Sequence, residues 1–366
     1  MIDPDAFAAL LCDYCLEASA GDQVLVRSTT LAAPLLLALQ RALLEREAWP
    51  LMRPALPEQE AMFCAAARDV HLDGFAPADL AEAEAADAVV RIDAPANTRA
   101  LAAVDPARLT RAARARMPLR EATLALRWCG TLWPTPASAQ QAGMATEDYA
   151  AFVRRALFLD RDDPIAAWRA LSATQAALIE RLAAASDIRI EAEGTDLRLS
   201  VTGREWINSD GKRNMPSGEV FTGPLETSAE GRIRFDVPSS PRGVEVAGIE
   251  LEFREGVVTA ARADRGDEVL QAMLATDDGA RRLGEIGIGT NAGVDRPVGS
   301  VLVDEKMGGT VHLALGRSYP ETGGTNVSAI HWDMICDLRR GGRLTADGEP
   351  VVEAGALVQA NTPSGS

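Results

Sequence analysis

The chain has 366 residues, 47% hydrophobic and 25% charged, which supplies material for two cores and excludes a disordered chain. A formal net charge of −16 argues against a nucleic-acid partner, because phosphate binding needs a basic surface. No apolar run reaches transmembrane length and no basic segment leads into an apolar one near the start, so no membrane partner is expected and the location expected is the cytoplasm. Only Lys212 and Lys306 are lysines among 37 basic residues, which reads as codon usage rather than chemistry.

Five cysteines, an odd number, point to reduced thiols. Cys12 and Cys15 form a CxxC inside a segment of helical periodicity, residues 7–18, and no second CxxC follows. Two buried thiols on one helix face are expected there, not a zinc knuckle.

In chain order, residues 23–27 (QVLVR) read as a strand, 34–47 as a helix behind the possible caps Thr29 and Thr30, and a strand follows near Leu51. The unit recurs with a strand at 87–92, a proline-started helix at 106–117 and a strand at 122–128 (ATLALRW). Alternating strands and helices predict an α/β domain with a mostly parallel sheet covered on both faces. No GxGxxG joins strand to helix, so a dinucleotide site is not expected. Helices are expected at 147–157 and 164–185, after which the texture changes.

Residues 187–193 and 196–202 alternate apolar and polar positions around Gly194, a hairpin signal. Further strands are expected at 233–237, 244–253 and 257–263, a helix at 268–283, and strands at Val301 and 310–315 (TVHLAL). The expected organisation is an α/β domain over 1–175 and an α+β catalytic domain over 176–366, with a flexible tail from Asn361.

Two of the three histidines, His312 and His331, fall in the second half with Glu219, Glu285, Asp304, Glu305, Tyr319 and Asp333. Imidazole and carboxylate together are ligands of hydrolytic divalent cations, and many carboxylates around few histidines suit a pair of ions. His331 and Asp333 lie two apart, so an extended backbone turns them to one side. His312 sits centrally in an apolar strand, where a satisfied core histidine is the plain alternative. Glu285 reads as lying at a helix end in RRLGE, and Glu219 in a proline and glycine loop. There is no GxSxG, and no cysteine has a histidine partner in sequence context, which disfavours covalent catalysis.

The series NMPSGEVFTGP, DDGARRLGEIGIG, DEKMGGTVHLALGRSYPETGG and NVSAIHWDMI resembles, in order and wording, the thermophilic aminopeptidase family of cocatalytic metallopeptidases. The opening YCLEASAGDQVLV extends the resemblance weakly into the first half. It implies that Glu219, Glu285, Glu305, His312, His331 and Asp333 hold two divalent ions, Zn, Co or Mn. It further implies that Glu285 and Tyr319 act in catalysis, that peptides with a free N-terminus are the substrates, and that the protein is a homodimer. Six residues separate Glu305 from His312, where better-known members carry a shorter stretch beginning DEN, and Asp304 is the alternative to Glu305. The rival function is a mononuclear Fe(II) ring-opening dioxygenase of dihydroxypyridine type, served by His312, His331 and Asp333 alone.

Overall fold

A computed structural model describes residues 2–358; the tail from Asn361 lies outside the described residues. Two compact units are present: residues 1–168 with 211–216, and residues 169–210 with 217–366.

In the first unit, β1 (Gln23–Thr29), β2 (Trp49–Ala55), β3 (Ala88–Asp93), β4 (Arg127–Leu132) and a two-residue strand from the returning segment, β8 (Asn214–Met215), form a parallel sheet in the order β2-β1-β3-β4-β8. Val24, Leu25 and Val26 are buried in succession, as are Ala88, Val89 and Val90, which is what a strand covered on both faces requires. The helix Ala33–Glu45 begins where Thr29 accepts from the Leu31 amide, has a proline in its first turn, and buries Leu35, Leu36, Leu39 and Leu43. Cys12 and Cys15 lie in a π-helical turn, Leu11–Cys15, and are buried; burial pushes the Cys12 thiol up to about 12, so it is not a metal-ready thiolate.

The strand expected over 122–128 begins late, after a helix. Residues Met117–Ala125 are helical and the strand starts only at Arg127. Pro118 opens the segment, and MPLREATLA is rich in alanine, leucine, arginine and glutamate, whose helix preference outweighs the short alternation of ATLAL.

The second unit is built on two antiparallel sheets. The larger has eight strands in the order β12-β11-β10-β6-β5-β16-β17-β18, with β5 Asp187–Ala192, β6 Thr195–Ser200, β10 Glu230–Phe235, β11 Ile249–Arg254, β12 Val257–Arg262, β16 Arg343–Ala346, β17 Glu349–Glu353 and β18 Ala356–Leu357. The smaller runs β15-β14-β13-β9-β7, with β7 Ile207–Ser209, β9 Glu219–Thr222, β13 Leu283–Gly289, β14 Thr310–Gly316 and β15 His331–Asp337. One apolar cluster joins them: Ile188, Ile190, Leu197, Ile233 and Leu251 from the larger sheet, and Ile286, Ile288, Val311, Leu313 and Trp332 from the smaller.

Two corrections bear on the site. The helix expected over 268–283 ends at Leu274, a 3-10 turn at Asp278–Arg281 follows, and Leu283–Gly289 is a fully buried strand, so Glu285 belongs to a sheet and not to a helix end. The break is the Thr-Asp-Asp-Gly run, where Asp277 accepts from the Ala280 amide. Val301 opens a short helix, Val301–Asp304, in place of the expected strand. Among the described residues no helix is long and apolar enough to cross a membrane.

Candidate metal centre

Strand period and register explain why the polar groups meet. Along β13 and β14 the residues Ile286, Ile288, Val311, Leu313 and Leu315 point into the shared core, so Glu285, Gly287, His312 and Ala314 take the other face. Glu285 pairs with Ala314, which pairs with Asp333; Gly287 pairs with His312, and Gly289 with Glu219. His331, two residues before Asp333 in β15, completes the row, as its spacing predicts. Glu219 is the first residue of β9, held in place through its carbonyl, which accepts from the buried Gln175 amide at 2.7 Å.

Glycines make the approach possible. A Cβ on Gly287 would lie 2.1 Å from the His312 ring, and one on Gly284 would lie 2.4 Å from the Gly316 carbonyl oxygen. The imidazole therefore folds over a bare backbone, and the pattern GEIG is legible as space for that ring.

His312 Nε2 lies 3.2 Å from Glu285 Oε1 and 3.4 Å from Glu219 Oε2. His331 Nε2 lies 3.5 Å from both Glu285 Oε2 and Asp333 Oδ1, while its Nδ1 is 2.7 Å from the Arg317 carbonyl oxygen. That contact orients the ring so that Nε2 faces the carboxylates, the usual arrangement behind a metal-ligating histidine. Ligand atoms within 4.8 Å of one another form three overlapping sets: Glu219, Glu285 and His312; Glu285, His331 and Asp333; Glu305, His312 and Asp333. All six expected ligands are thus brought together.

Asp304 is not. Its carboxylate accepts from the Val298 and Gly299 amides at 2.7 and 2.9 Å, closing the loop before Glu305, and burial pushes its carboxyl up to about 7. Tyr319 packs its ring edge-on against His331, 4.9 Å between centroids, and against Phe221 at 5.7 Å. Burial and the nearby carboxylates raise its phenol well above the ordinary value, so it is a hydroxyl donor at neutral pH.

Lys306 was missed by composition, which set both lysines aside. It is 1% exposed, and its ammonium pairs with Glu219 and Glu305. One signal was available in the sequence: it is a charged residue between Glu305 and an apolar strand, in a chain almost without lysine.

The donors fit divalent ions. Glu219 Oε2, Glu285 Oε2 and Asp333 Oδ1 are buried with no hydrogen-bond partner, a costly state for carboxylate oxygens unless a cation takes the lone pairs. Burial pushes the carboxyls of Glu219, Glu285 and Glu305 up, as expected for acids crowded away from water. Burial alone would lower the histidines, but the surrounding carboxylates prevail and hold both up to about 9. The hard oxygens and two imidazoles suit Zn, Co or Mn.

The chain has relatives in sequence and in fold. The chain is 34% identical to Aminopeptidase 2 of Geobacillus stearothermophilus over 75% of this chain and 76% of that one. It is 32% identical to Aminopeptidase T of Thermus aquaticus over 65% and 67%. The solved structure of wild-type AmpT from Thermus thermophilus superposes with a TM-score of 0.83 at 25% identity, covering 97% of this chain and 99% of that one. These relatives do not support the dioxygenase alternative. A family profile described as thermophilic metalloprotease (M29) matches residues 3–357, and with the fold and the buried donor set already in place the chain belongs to that family.

Proposed function

We propose that the protein is a metal-dependent aminopeptidase that releases N-terminal amino acids from peptides. Two divalent ions, Zn, Co or Mn, would be held by Glu219, Glu285, Glu305, His312, His331 and Asp333. The observation that carries the reading is the trio of buried carboxylate oxygens on Glu219, Glu285 and Asp333 that make no hydrogen bond and face two imidazole Nε2 atoms. When bound, the ions supply Lewis acidity that polarises a peptide carbonyl and acidifies water toward neutral pH.

The remaining work falls to the chain. Glu285 accepts a proton from the attacking water and returns it to the leaving amine, a role supported by its position between the two histidines. The Tyr319 hydroxyl donates to the oxyanion that forms on the former carbonyl. A free α-amine would be retained by a carboxylate of the cluster or by an ion those residues hold, which would restrict the enzyme to N-termini. A homodimeric state belongs to the same proposal and rests on the resemblance, whereas location in the cytoplasm is supported by the five buried free thiols, which suit a reducing compartment.

The test is hydrolysis of aminoacyl anilides and short peptides by chelator-stripped and reloaded protein. Activity should vanish on stripping, return with Zn, Co or Mn, and be absent on an N-acetylated peptide. Cleavage that persists in excess chelator, or equal rates on free and acetylated peptides, would overturn the reading.

A further inference from the structure

Lys306 stands where the proposed function least needs a positive charge. Its ammonium is 2.5 Å from Glu219 Oε1 and also pairs with Glu305. Both are carboxylates that the six-ligand centre must offer to metal. The three ligand sets are not equally affected. Glu219 enters the set with Glu285 and His312, and Glu305 enters the set with His312 and Asp333, so each of these contains a carboxylate already paired with the lysine. The set of Glu285, His331 and Asp333 contains none.

We propose that Lys306 makes the two metal positions unequal: the first ion binds through Glu285, His331 and Asp333, and the second, which needs Glu219 or Glu305, enters only by displacing the Lys306 ammonium. The inference rests on the two-ion reading above. Its physical basis is competition for the same oxygens between a covalently tethered cation and a free one. Breaking a buried ion pair to admit the second ion weakens that ion's binding by about a hundredfold relative to the first. The first ion meets no ammonium that must leave: the cationic group facing Asp333 Oδ1 and Glu285 Oε2 is His331, at 3.5 Å from each, which is already oriented by the Arg317 carbonyl and becomes a ligand by losing a proton in place. Between the two loadings, Lys306 keeps Glu219 and Glu305 from repelling one another in a site where each is buried.

The experiment is titration of the chelator-stripped full chain with Zn2+ by calorimetry, with native mass spectrometry to count the ions and Co2+ spectra to follow each position. Wild type should bind one ion tightly and a second about a hundredfold more weakly. Lys306→Gln and Lys306→Met should tighten the second ion at least about tenfold and leave the first within a few-fold. A purely structural role would weaken both ions together, so this split is diagnostic.

Glu305→Gln, which leaves Lys306 in place, should change the affinity of the weak ion alone and keep the tight one; His331→Ala should weaken the tight one. Should the lysine variants not fold, as judged by thermal melting, the wild-type titration and the Glu305→Gln result decide. Two ions of equal affinity in wild type, loss of the tight ion in Glu305→Gln, or no ion bound at all overturns the inference. Anilide hydrolysis measured on the same samples separates the two ideas. Hydrolysis with two equal ions removes only this inference, whereas unequal ions without hydrolysis removes only the aminopeptidase reading.

Discussion

The two sheets of the second unit use the same strand chemistry and treat their acids in opposite ways. On the eight-stranded sheet three carboxylates are held by arginines: Arg189 pairs with Asp196 and Glu191, Arg343 with Glu191, and both Arg234 and Arg262 with Glu250. These groups lie near solvent, and their pairing removes any need for a further cation. On the five-stranded sheet and the turn beside it, Glu219, Glu285, Glu305 and Asp333 are gathered with two histidines and one lysine, and no arginine joins them among the described ion pairs. Charge that folding leaves so poorly balanced is a cost to stability that a chain retains for function.

The sharpest way to break that contrast is Glu285→Gln. Losing the basic oxygen should lower peptide hydrolysis by about a thousandfold, read as kcat/KM on an aminoacyl anilide. In metal-free protein the same change should raise the melting temperature. Burial holds the folded Glu285 carboxyl above its unfolded value, so its contribution to stability is full below the unfolded value and is lost as pH rises through the folded one. Glutamine cannot ionise and does not suffer that loss. The gain should therefore be absent in acid and grow toward neutral pH; a variant that is less stable than wild type at neutral pH in chelator would show that the carboxylate is balanced after all.

Tyr319→Phe separates the phenol from the ligands. It should lower kcat by about a hundredfold while metal content stays at the wild-type value, because the ring packing on Phe221 and His331 survives and only the hydroxyl donor is removed. Full turnover would show that Tyr319 is packing alone.

Gly287→Ala sharpens the comparison from the backbone side. The added methyl would sit 2.1 Å from the His312 ring, which is 0% exposed and has little room to retreat. Displacing the imidazole should weaken metal binding about tenfold, the scale of a disturbed supporting contact, without unfolding the sheet. Unchanged metal affinity would mean that the ring relocates at no cost.

Much of this is legible in the sequence. Strands buried on both faces announce themselves as runs such as VLV, and the HWD spacing placed His331 and Asp333 on one side because strand period is two. Two failures have a common cause. The strand expected over 122–128 is helix as far as Ala125, and the helix expected over 268–283 ends at Leu274, since short alternation and short periodicity are weak evidence beside proline at a helix start or an Asp-Asp-Gly turn. The second error moved Glu285 to a helix end and hid the reason for its glycines. The six-ligand assembly came from resemblance, because register across β9, β13, β14 and β15 is long-range information that no local pattern holds. Lys306 was hidden differently: a buried lysine is rare enough that composition gives no reason to look for one.

The smallest expected effect comes from the control on the neighbouring sheet, Glu250→Gln. It is the same chemical change as Glu285→Gln, made where the side chain is 32% exposed and two arginines are in reach, against 6% exposure for Glu285. Arg234 retains Asp264 at 3.0 Å as a second partner, and Arg262 reaches the same carboxylate at 3.6 Å, so neither guanidinium is left alone. Ion pairs near solvent contribute little, and the melting temperature should move by no more than about 2 °C, with anilide hydrolysis and Zn2+ affinity at wild-type values. A larger loss of stability would show that the arginine network of the eight-stranded sheet is itself a principal support of the unit. In that case the contrast between the sheets would lie in which cation neutralises the acids, a tethered guanidinium or a bound metal, and not in whether they need one.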